Sequence, residues 1–491
     1  MNKMRLMLMI VVLVLCNMVY SQNTVPYSQR MANSQMSRSG NLYSWDYPDG
    51  LFAESILKVY NLYGEEKYLS YLVKYANSAV TSSGSMNGYS YNAFTLDNIN
   101  PGKFLLELQQ ISPKANYKIA MDMLRKQLKN QPRTNNSADG GFWHKLSYPH
   151  QMWLDGLYMG ARFYSEYDKL YNNGEAYQDV VNQFEMIHSH TYDPEYQLNY
   201  HAWSAKPDDA NSFWANKSDP FLGCSKEFWG RGLGWYAAAL VDVIEILPDT
   251  FSRRNELVDI FNQVAAGIKR WQDSTSGCWY QLLRYDTSYV SKGGHSNYLE
   301  ASASSMYTYA LLKAARLGII DEQVYRPVGI KAYKGLLDNF ITEDALGNLS
   351  LNRICRSAGL GPSSKPERNG SADYYLDGSD AGNIVSNDLK GVGPFIMASV
   401  EYEMIQGNES GMLQYDKGNS KLKVFGSNGT VTIESREQAI EEVKFFDAQG
   451  KLIDCEKGNS GNMEQFDFKV PSGIYLVRVN NLLSAKFNLS N

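Results

Sequence analysis

Between residues 25 and 405 the apolar residues recur at three- and four-residue intervals, stretch after stretch. That period marks helices with one buried face. Twelve stretches carry it, at 26–37, 50–63, 66–80, 102–110, 116–129, 150–167, 174–190, 230–247, 254–272, 298–317, 322–341 and 389–405. An even count lets every helix pair with its neighbour as a hairpin. Two loops also read as degenerate copies. Gly141-Phe142-Trp143 leads through Tyr148-Pro149 into a helix, as Gly277-Cys278-Trp279 leads through Asn297-Tyr298 into another. A repeated outer helix, Gly-Trp loop and inner helix predicts a mainly α chain, an (α/α)6 barrel of six hairpins. The uneven hairpin spacing excludes a regular solenoid, and the long loops should gather at one face as a cleft.

The period changes at both ends. Met1–Ser21 reads as a secretory signal, with Lys3 and Arg5 before an apolar run from Leu6 to Leu15 and small residues near Ser21. Cys16 offers a lipid-anchor alternative, against which the bulky Leu15 counts. The run is short for a membrane span, and no later stretch is long and apolar enough for one. The barrel is therefore expected over 22–405 of an exported chain, in the periplasm or at or beyond the cell surface. A Gly- and Asn-rich linker at 406–416 precedes alternating strands within 417–491. The strands are read at 422–425, 430–433, 443–447 and 474–479, with turns at Ala448-Gln449-Gly450 and Pro471-Ser472-Gly473. This tail is predicted to be a small C-terminal β-sandwich without chemistry of its own.

A formal net charge of -5, with no basic stripe, argues against nucleic acid as a partner. Cys224, Cys278, Cys355 and Cys455 are scattered, so buried single thiols are expected rather than a disulfide framework. No His pair has zinc spacing, His188 and His190 face apart on one helix, and no Gly-x-Ser-x-Gly elbow occurs. Neither a metal nor an organic cofactor is expected.

Chemistry is sought where polar residues interrupt apolar ones. Asp155 lies in Gln151-Met152-Trp153-Leu154-Asp155-Gly156-Leu157-Tyr158-Met159 with no adjacent cation. Apolar surroundings raise a carboxyl toward the range a general acid needs; satisfying backbone donors at a helix start explains the same residue equally well. Asp97, before Pro101-Gly102, reads alone as a turn or cap residue. In Trp229-Gly230-Arg231-Gly232-Leu233-Gly234-Trp235 the glycines permit close backbone approach, Arg231 offers a fork for a carboxylate and the indoles suit sugar rings. Close helix packing is the competing explanation. His144 and His201 sit in aromatic loops, where a single His is more often structural. The 35 Tyr and 9 Trp pose the question of ring-lined surfaces, and Trp143 and Trp203 are expected to join Trp229 and Trp235 at a sugar cleft.

Taken together, Gly141-Phe142-Trp143-His144-Lys145, Tyr148-Pro149, the segment 151–159, the segment 229–235, Asn297-Tyr298-Leu299-Glu300-Ala301-Ser302-Ala303-Ser304 and Lys390-Gly391-Val392-Gly393-Pro394-Phe395 resemble glycoside hydrolase family 105. These are the unsaturated rhamnogalacturonyl hydrolases, related to the unsaturated glucuronyl hydrolases of family 88. The resemblance implies the same barrel and an unusual reaction. Pectin lyases leave a terminal sugar with a C4=C5 vinyl ether, and such enzymes hydrate that double bond instead of protonating the glycosidic oxygen. By motif it implies Asp155 as proton donor and water-activating base, and Asp97 as the second acidic residue. It further implies His144 and His201 as substrate contacts, Arg231 as counter-charge for the uronate, Trp229 and Trp235 as pocket walls, and Trp45 and Tyr47 as a further stacking surface. The expected partner is an unsaturated uronic-acid oligosaccharide from rhamnogalacturonan. Unsaturated glucuronides, or a carbohydrate-binding barrel without catalysis, are the alternatives. The tail resembles the type IX secretion sorting domain through Phe445-Phe446-Asp447-Ala448-Gln449-Gly450-Lys451 and Pro471-Ser472-Gly473-Ile474-Tyr475-Leu476-Val477-Arg478-Val479, which implies secretion machinery as a second partner.

Overall fold

The computed structural model describes residues 25–135, 137, 140–410, 422–427, 429–435, 439–447, 452–470, 473–480 and 483–490. The signal segment 1–21, residues 411–416 of the linker and the turns at 448–450 and 471–472 lie outside the described residues. The chain divides into two compact units at Tyr402/Glu403.

In the first unit all twelve expected helices form, within a few residues of their predicted ends. Six are outer helices: α1 (Tyr27–Ser39), α3 (Glu66–Ala79), α5 (Ala115–Lys129), α7 (Tyr177–Thr191), α9 (Arg254–Arg270) and α11 (Glu322–Phe340). Six are inner: α2 (Tyr47–Tyr63), α4 (Gly102–Ile111), α6 (Leu154–Tyr171), α8 (Gly230–Ile246), α10 (Ala301–Arg316) and α13 (Leu389–Ser410). Burial separates the classes. Every residue of α8 except Glu245, and of α10 except Arg316, is buried, whereas α9 buries a single stripe from Leu257 through Phe261 and Val264 to Ile268. A helix walled on all sides needs small residues for close approach, which the Gly, Ala and Ser of α8 and α10 supply. This is an (α/α)6 barrel.

Three departures from expectation matter. The helix predicted from residue 150 begins at Leu154, because β1 (Gln151–Trp153) first pairs with β4 (Ala202–Ser204), bringing Trp153 opposite Ala202. Such a long-range pairing leaves no local period. Short strands β2 (Tyr192–Asp193) and β3 (Leu198–Asn199) follow α7, and β5 (Ile341–Glu343), β6 (Leu349–Leu351), β7 (Ile354–Cys355) and β8 (Ile384–Val385) lie with a short extra helix, α12 (Ala372–Asp377), in the connection between α11 and α13. Helix α13 runs to Ser410, so residues 406–410 of the expected linker are helical. Below the inner-helix N-termini, charges pair within the barrel: Arg162 with Glu54, Lys103 Nζ with Glu54 at 3.6 Å, and Lys313 Nζ with Asp242 at 2.6 Å. Cys224, Cys278 and Cys355 are buried free thiols; Cys455, contrary to expectation, is exposed because it sits on an edge strand.

Among the described residues the tail has seven strands, β9 to β15, in the order β12-β11-β14-β15-β9-β10-β13. They run Leu422–Ser427, Thr430–Ser435, Glu442–Phe446, Leu452–Lys457, Met463–Asp467, Gly473–Val479 and Leu483–Ser490. In a flat sheet β11 and β13 would stand roughly 24 Å apart, five strand spacings. Yet the rings of Phe445 (β11) and Phe466 (β13) have centroids 6.0 Å apart, and Val431, Ile433, Val443 and Val477 join them in one buried cluster. The sheet therefore folds over on itself, as a β-sandwich does.

Candidate active site

Tyr47 opens α2, Asp155 lies in the first turn of α6, Arg231 in that of α8 and Lys390 in that of α13, while Glu300 caps α10. Positive ends of several inner helices therefore meet at one end of the barrel, an environment that favours a negatively charged ligand.

Two carboxylates stand there in different surroundings. Asp97, in a 3-10 turn at Leu96–Ile99, has its Oδ1 3.2 Å from His144 Nε2 and its Oδ2 3.4 Å from Lys145 Nζ. Burial alone would raise its carboxyl, but His144 and Lys145 more than reverse this and hold it well below the usual carboxylate range. Asp97 is therefore a standing anion. Asp155, 9% exposed, has its Oδ2 3.1 Å from Nε2 of the fully buried His201. No cation is paired with it among the described ion pairs.

Trp153 joins the two halves. Its ring stacks on His144 at 4.7 Å and on Tyr148 at 4.9 Å, and meets His201 edge-on at 5.4 Å. The indole is 4% exposed and donates to Gln151 Oε1 at 3.1 Å, so one rigid ring fixes the histidine partners of both carboxylates. Gly156 completes the fit, for a Cβ there would stand 3.2 Å from His144 Nδ1.

The other expected residues surround this pair. Trp229 packs against His201 at 4.6 Å, and the Arg231 guanidinium lies 5.1 Å from the Trp229 ring centroid. Arg231 donates to the Cys355 carbonyl at 2.6 Å. Glu300 sets that carbonyl by accepting from Cys355 N–H at 2.9 Å. Trp235 lies 6.4 Å from Tyr47 and 4.6 Å from Tyr158. Burial holds the Tyr47 hydroxyl above its ordinary value despite Arg231, with Asp97 and Asp155 pushing the same way, which places Tyr47 within the field of both carboxylates. Trp45 is 2% exposed and donates its indole N–H to the Asn98 carbonyl at 2.9 Å, bracing the turn that bears Asp97 rather than presenting a stacking face. A cavity of about 580 Å³ opens beside Asp97, lined by Asp46, Tyr47, Thr95, Asn98, Lys145 and Leu146.

Trp143 and Trp203 do not join the cluster: Trp143 packs on His150 at 4.5 Å and Trp203 stacks on His190 at 3.7 Å. Alternation explains Trp203, whose strand partner is Met152, whereas the site-facing Trp153 pairs with Ala202. Sequence reasoning assigned no role to Glu300, Lys390, Trp153 or Tyr375. The first three stand in motifs already singled out. Burial and the neighbouring Arg231 lower the Lys390 ammonium against the pull of Asp388, so two cations lie close together here. Tyr375, on α12, had no sequence signal. Among the described residues no group of His, Cys, Asp and Glu is arranged to hold a metal ion.

The model of Glycosyl Hydrolase Family 88 matches residues 23–406. A solved glycoside hydrolase from family 105 of C. acetobutylicum is 41% identical, with a TM-score of 0.71 over 77% of this chain and 100% of that one. The chain belongs to the family 88/105 glycoside hydrolases. Protein Atu3128 of Agrobacterium fabrum is 37% identical over 246 residues, 50% of this chain and 97% of its own. The unsaturated rhamnogalacturonyl hydrolase YesR of Bacillus subtilis is 23% identical over 281 residues, 56% of this chain and 72% of its own. Within this glycosidase the tail matches the secretion system C-terminal sorting domain over residues 427–487, which points to export. No helix among the described residues is long and apolar enough to cross a membrane.

Proposed function

We propose that this family 88/105 hydrolase removes the terminal 4,5-unsaturated galacturonic acid from lyase-generated rhamnogalacturonan oligosaccharides. The observation behind this reading is the asymmetry of its carboxylates. Asp97 is locked as an anion by His144 and Lys145, while Asp155 meets the single buried imidazole of His201 and, among the described residues, is paired with no lysine or arginine. Arg231, Lys390 and the helix N-termini supply counter-charge for the uronate. Similarity to an unsaturated rhamnogalacturonyl hydrolase supports the substrate class.

Protonated Asp155 delivers its proton to C4 of the vinyl ether as the ring oxygen stabilises positive charge at C5. Water then adds at C5 and returns a proton to the Asp155 carboxylate. The product is a C5 hemiketal whose ring opens to a ketone, leaving a C1 hemiacetal that breaks its bond to the neighbouring sugar. Asp97 hydrogen-bonds the unsaturated sugar and stays ionised throughout. One residue serves as acid and base, so the carboxylate spacing that separates retaining from inverting glycosidases does not govern this site.

The test follows the ultraviolet absorbance of the double bond in lyase-generated disaccharides. The wild type should consume it and Asp155→Asn should be slower by about 10²-fold or more, the range of a general acid–base. Equal rates would sink the reading. Consumption confined to lyase products of glucuronate-containing chains would move the assignment to unsaturated glucuronides, and binding without consumption to a carbohydrate-binding barrel.

A further inference from the structure

His201 touches Asp155 through Nε2, and its other ring nitrogen also has a partner. The Tyr375 hydroxyl lies 2.7 Å from His201 Nδ1, across 174 residues of sequence. We propose that Tyr375 is a positioning residue that fixes the tautomer of His201 and thereby aims a single N–H at Asp155. This rests on the reading of Asp155 as acid and base, and assigns a role to a helix outside every motif.

A neutral imidazole carries one proton, and either nitrogen can hold it. Were it on Nδ1, Tyr375 would accept and Nε2 would point a lone pair at Asp155, repelling its carboxylate. With Tyr375 donating to Nδ1, the proton sits on Nε2 and bonds Oδ2. Burial holds the Tyr375 hydroxyl well above the ordinary phenol value, so its proton stays on oxygen and is available to donate. Asp155 Oδ1 is then the oxygen left to meet substrate.

The placement of Tyr375 is itself enforced. Its ring lies 6.0 Å from Trp229 at an interplanar angle of 24°, and its carbonyl accepts from Gln281 Nε2 at 3.4 Å. Gln281 Oε1 accepts the Trp229 indole N–H at 3.2 Å, so one glutamine ties both rings. Helix α12 is held at its start by Ser371, whose hydroxyl accepts from Tyr374 N–H. At its end Asp377 accepts from Gly293 N–H at 2.8 Å and meets His295 Nδ1 at 2.8 Å. Other titratable groups around the triad are Tyr47 of α2, Asp97, Glu227 before α8, Arg231 of α8, Cys355 of β7 (Ile354–Cys355) and Tyr374 of α12. Asp97 is held ionised by His144 and Lys145, and Glu227 is paired with Arg284 at 2.8 Å.

The experiment uses the full chain and a lyase-generated disaccharide. Tyr375→Phe keeps the ring and deletes the hydroxyl. An N–H bond to a carboxylate favours the ionised form, so loosening it raises the apparent pKa of Asp155. The limb of the kcat–pH profile set by Asp155 should move to higher pH, with kcat down about tenfold and KM within about twofold, the pattern of a lost transition-state interaction. In a His201→Ala background the same substitution should change kcat by less than about twofold, because its route is gone. An unmoved limb, or the same loss in both backgrounds, would overturn the proposal. Should Tyr375→Phe fail to fold, ring-nitrogen NMR of the wild type decides, since the chain has 6 His. Protonated Nε2 with bare Nδ1 in His201 supports the assignment and the reverse overturns it. If Asp155→Asn keeps full activity the underlying reading fails instead, and the NMR result still stands or falls separately.

Discussion

Lys313→Met tests how the barrel tolerates charge in its interior. Lys313 is 2% exposed and Asp242 1%, and their ion pair spans 2.6 Å between α10 and α8. Tyr309 donates to the same Oδ1 at 2.6 Å, whereas Asp242 Oδ2 has no hydrogen-bond partner. Burial would raise the Asp242 carboxyl; Lys313, with Arg162 and Lys58 beyond it, brings it well below the carboxylate range instead. Removing the ammonium strands a buried anion, which costs about 3–5 kcal/mol. An unfolding entropy of about 2.1 cal/mol/K per residue over roughly 380 barrel residues gives about 0.8 kcal/mol/K, so Tm should fall by about 4–6 °C. Asp242 lies eleven positions beyond Arg231 on α8, roughly 16 Å along the axis, so kcat/KM below the transition should hold. Scanning calorimetry at pH 7 reads the shift. Asp242→Asn combined with Lys313→Met should recover at least half of it, because the charge stranded at Asp242 is gone and only the half-exposed Glu245, 2.7 Å from Lys313 in the wild type, still lacks its lysine. A single variant within about 1 °C of wild type, or a double variant no better than the single, would refute the reasoning.

Further expectations concern pH and the site. Neutral His188 is fixed between Asn199 Nδ2 at 3.3 Å and Gln263 Oε1 at 3.4 Å, and burial lowers it to about 4. Its folded value lies below its unfolded one, so stability is lost as pH falls from the unfolded value toward 4. Between pH 7 and pH 5 this one group should cost about 2 kcal/mol, which His188→Gln should abolish in denaturant titrations at the two pH values. Gly156→Ala places a methyl 3.0 Å from Leu96 Cδ1 and 3.2 Å from His144 Nδ1. It should lower kcat/KM by about tenfold through displacement of His144 from Asp97, with a Tm loss of only a few degrees; unaltered kinetics would show that His144 has room to move.

The helices were legible because each outer helix has one dry face, which leaves a period in the sequence, and because α8 and α10, buried almost throughout, are rich in apolar and small residues. What escaped was made by pairing across distance. Gln151–Trp153 carries no strand signal in its own three residues, and becomes a strand only because Ala202–Ser204 lies beside it. The same event turns Trp203 toward His190 and Trp153 toward both site histidines, a choice that composition leaves open. Asp97 and Asp155 were legible as separate oddities, one in a turn and one at a helix start. Their chemical difference depends on His144, Lys145 and His201, which the fold alone brings near. Tyr375 was invisible for a further reason: α12 has no long amphipathic period, and its tyrosine acts through a hydroxyl aimed at a histidine 174 residues away.

The site geometry also narrows where substrate preference can arise. A lyase that forms the C4=C5 double bond makes both carbons planar and erases the configuration that separates galacturonate from glucuronate. The terminal sugar presented to Asp155 is then the same from either polymer, so neither Asp155 and His201 nor a counter-charge at Arg231 can distinguish its origin. Discrimination has to act through the anomeric linkage and the sugar beyond it, outside the reacting ring. The cavity beside Asp97 offers polar groups from Asp46 and Lys145 and an apolar wall in Leu146, which is 47% exposed. Lys145 has two duties there, since the ammonium that keeps Asp97 ionised also faces the cavity. A leaving sugar that hydrogen-bonds Lys145 would weaken its hold on Asp97, and a sugar that leaves it alone would not. On this geometry, recognition beyond the reacting ring and the charge state of the second carboxylate are linked through one side chain.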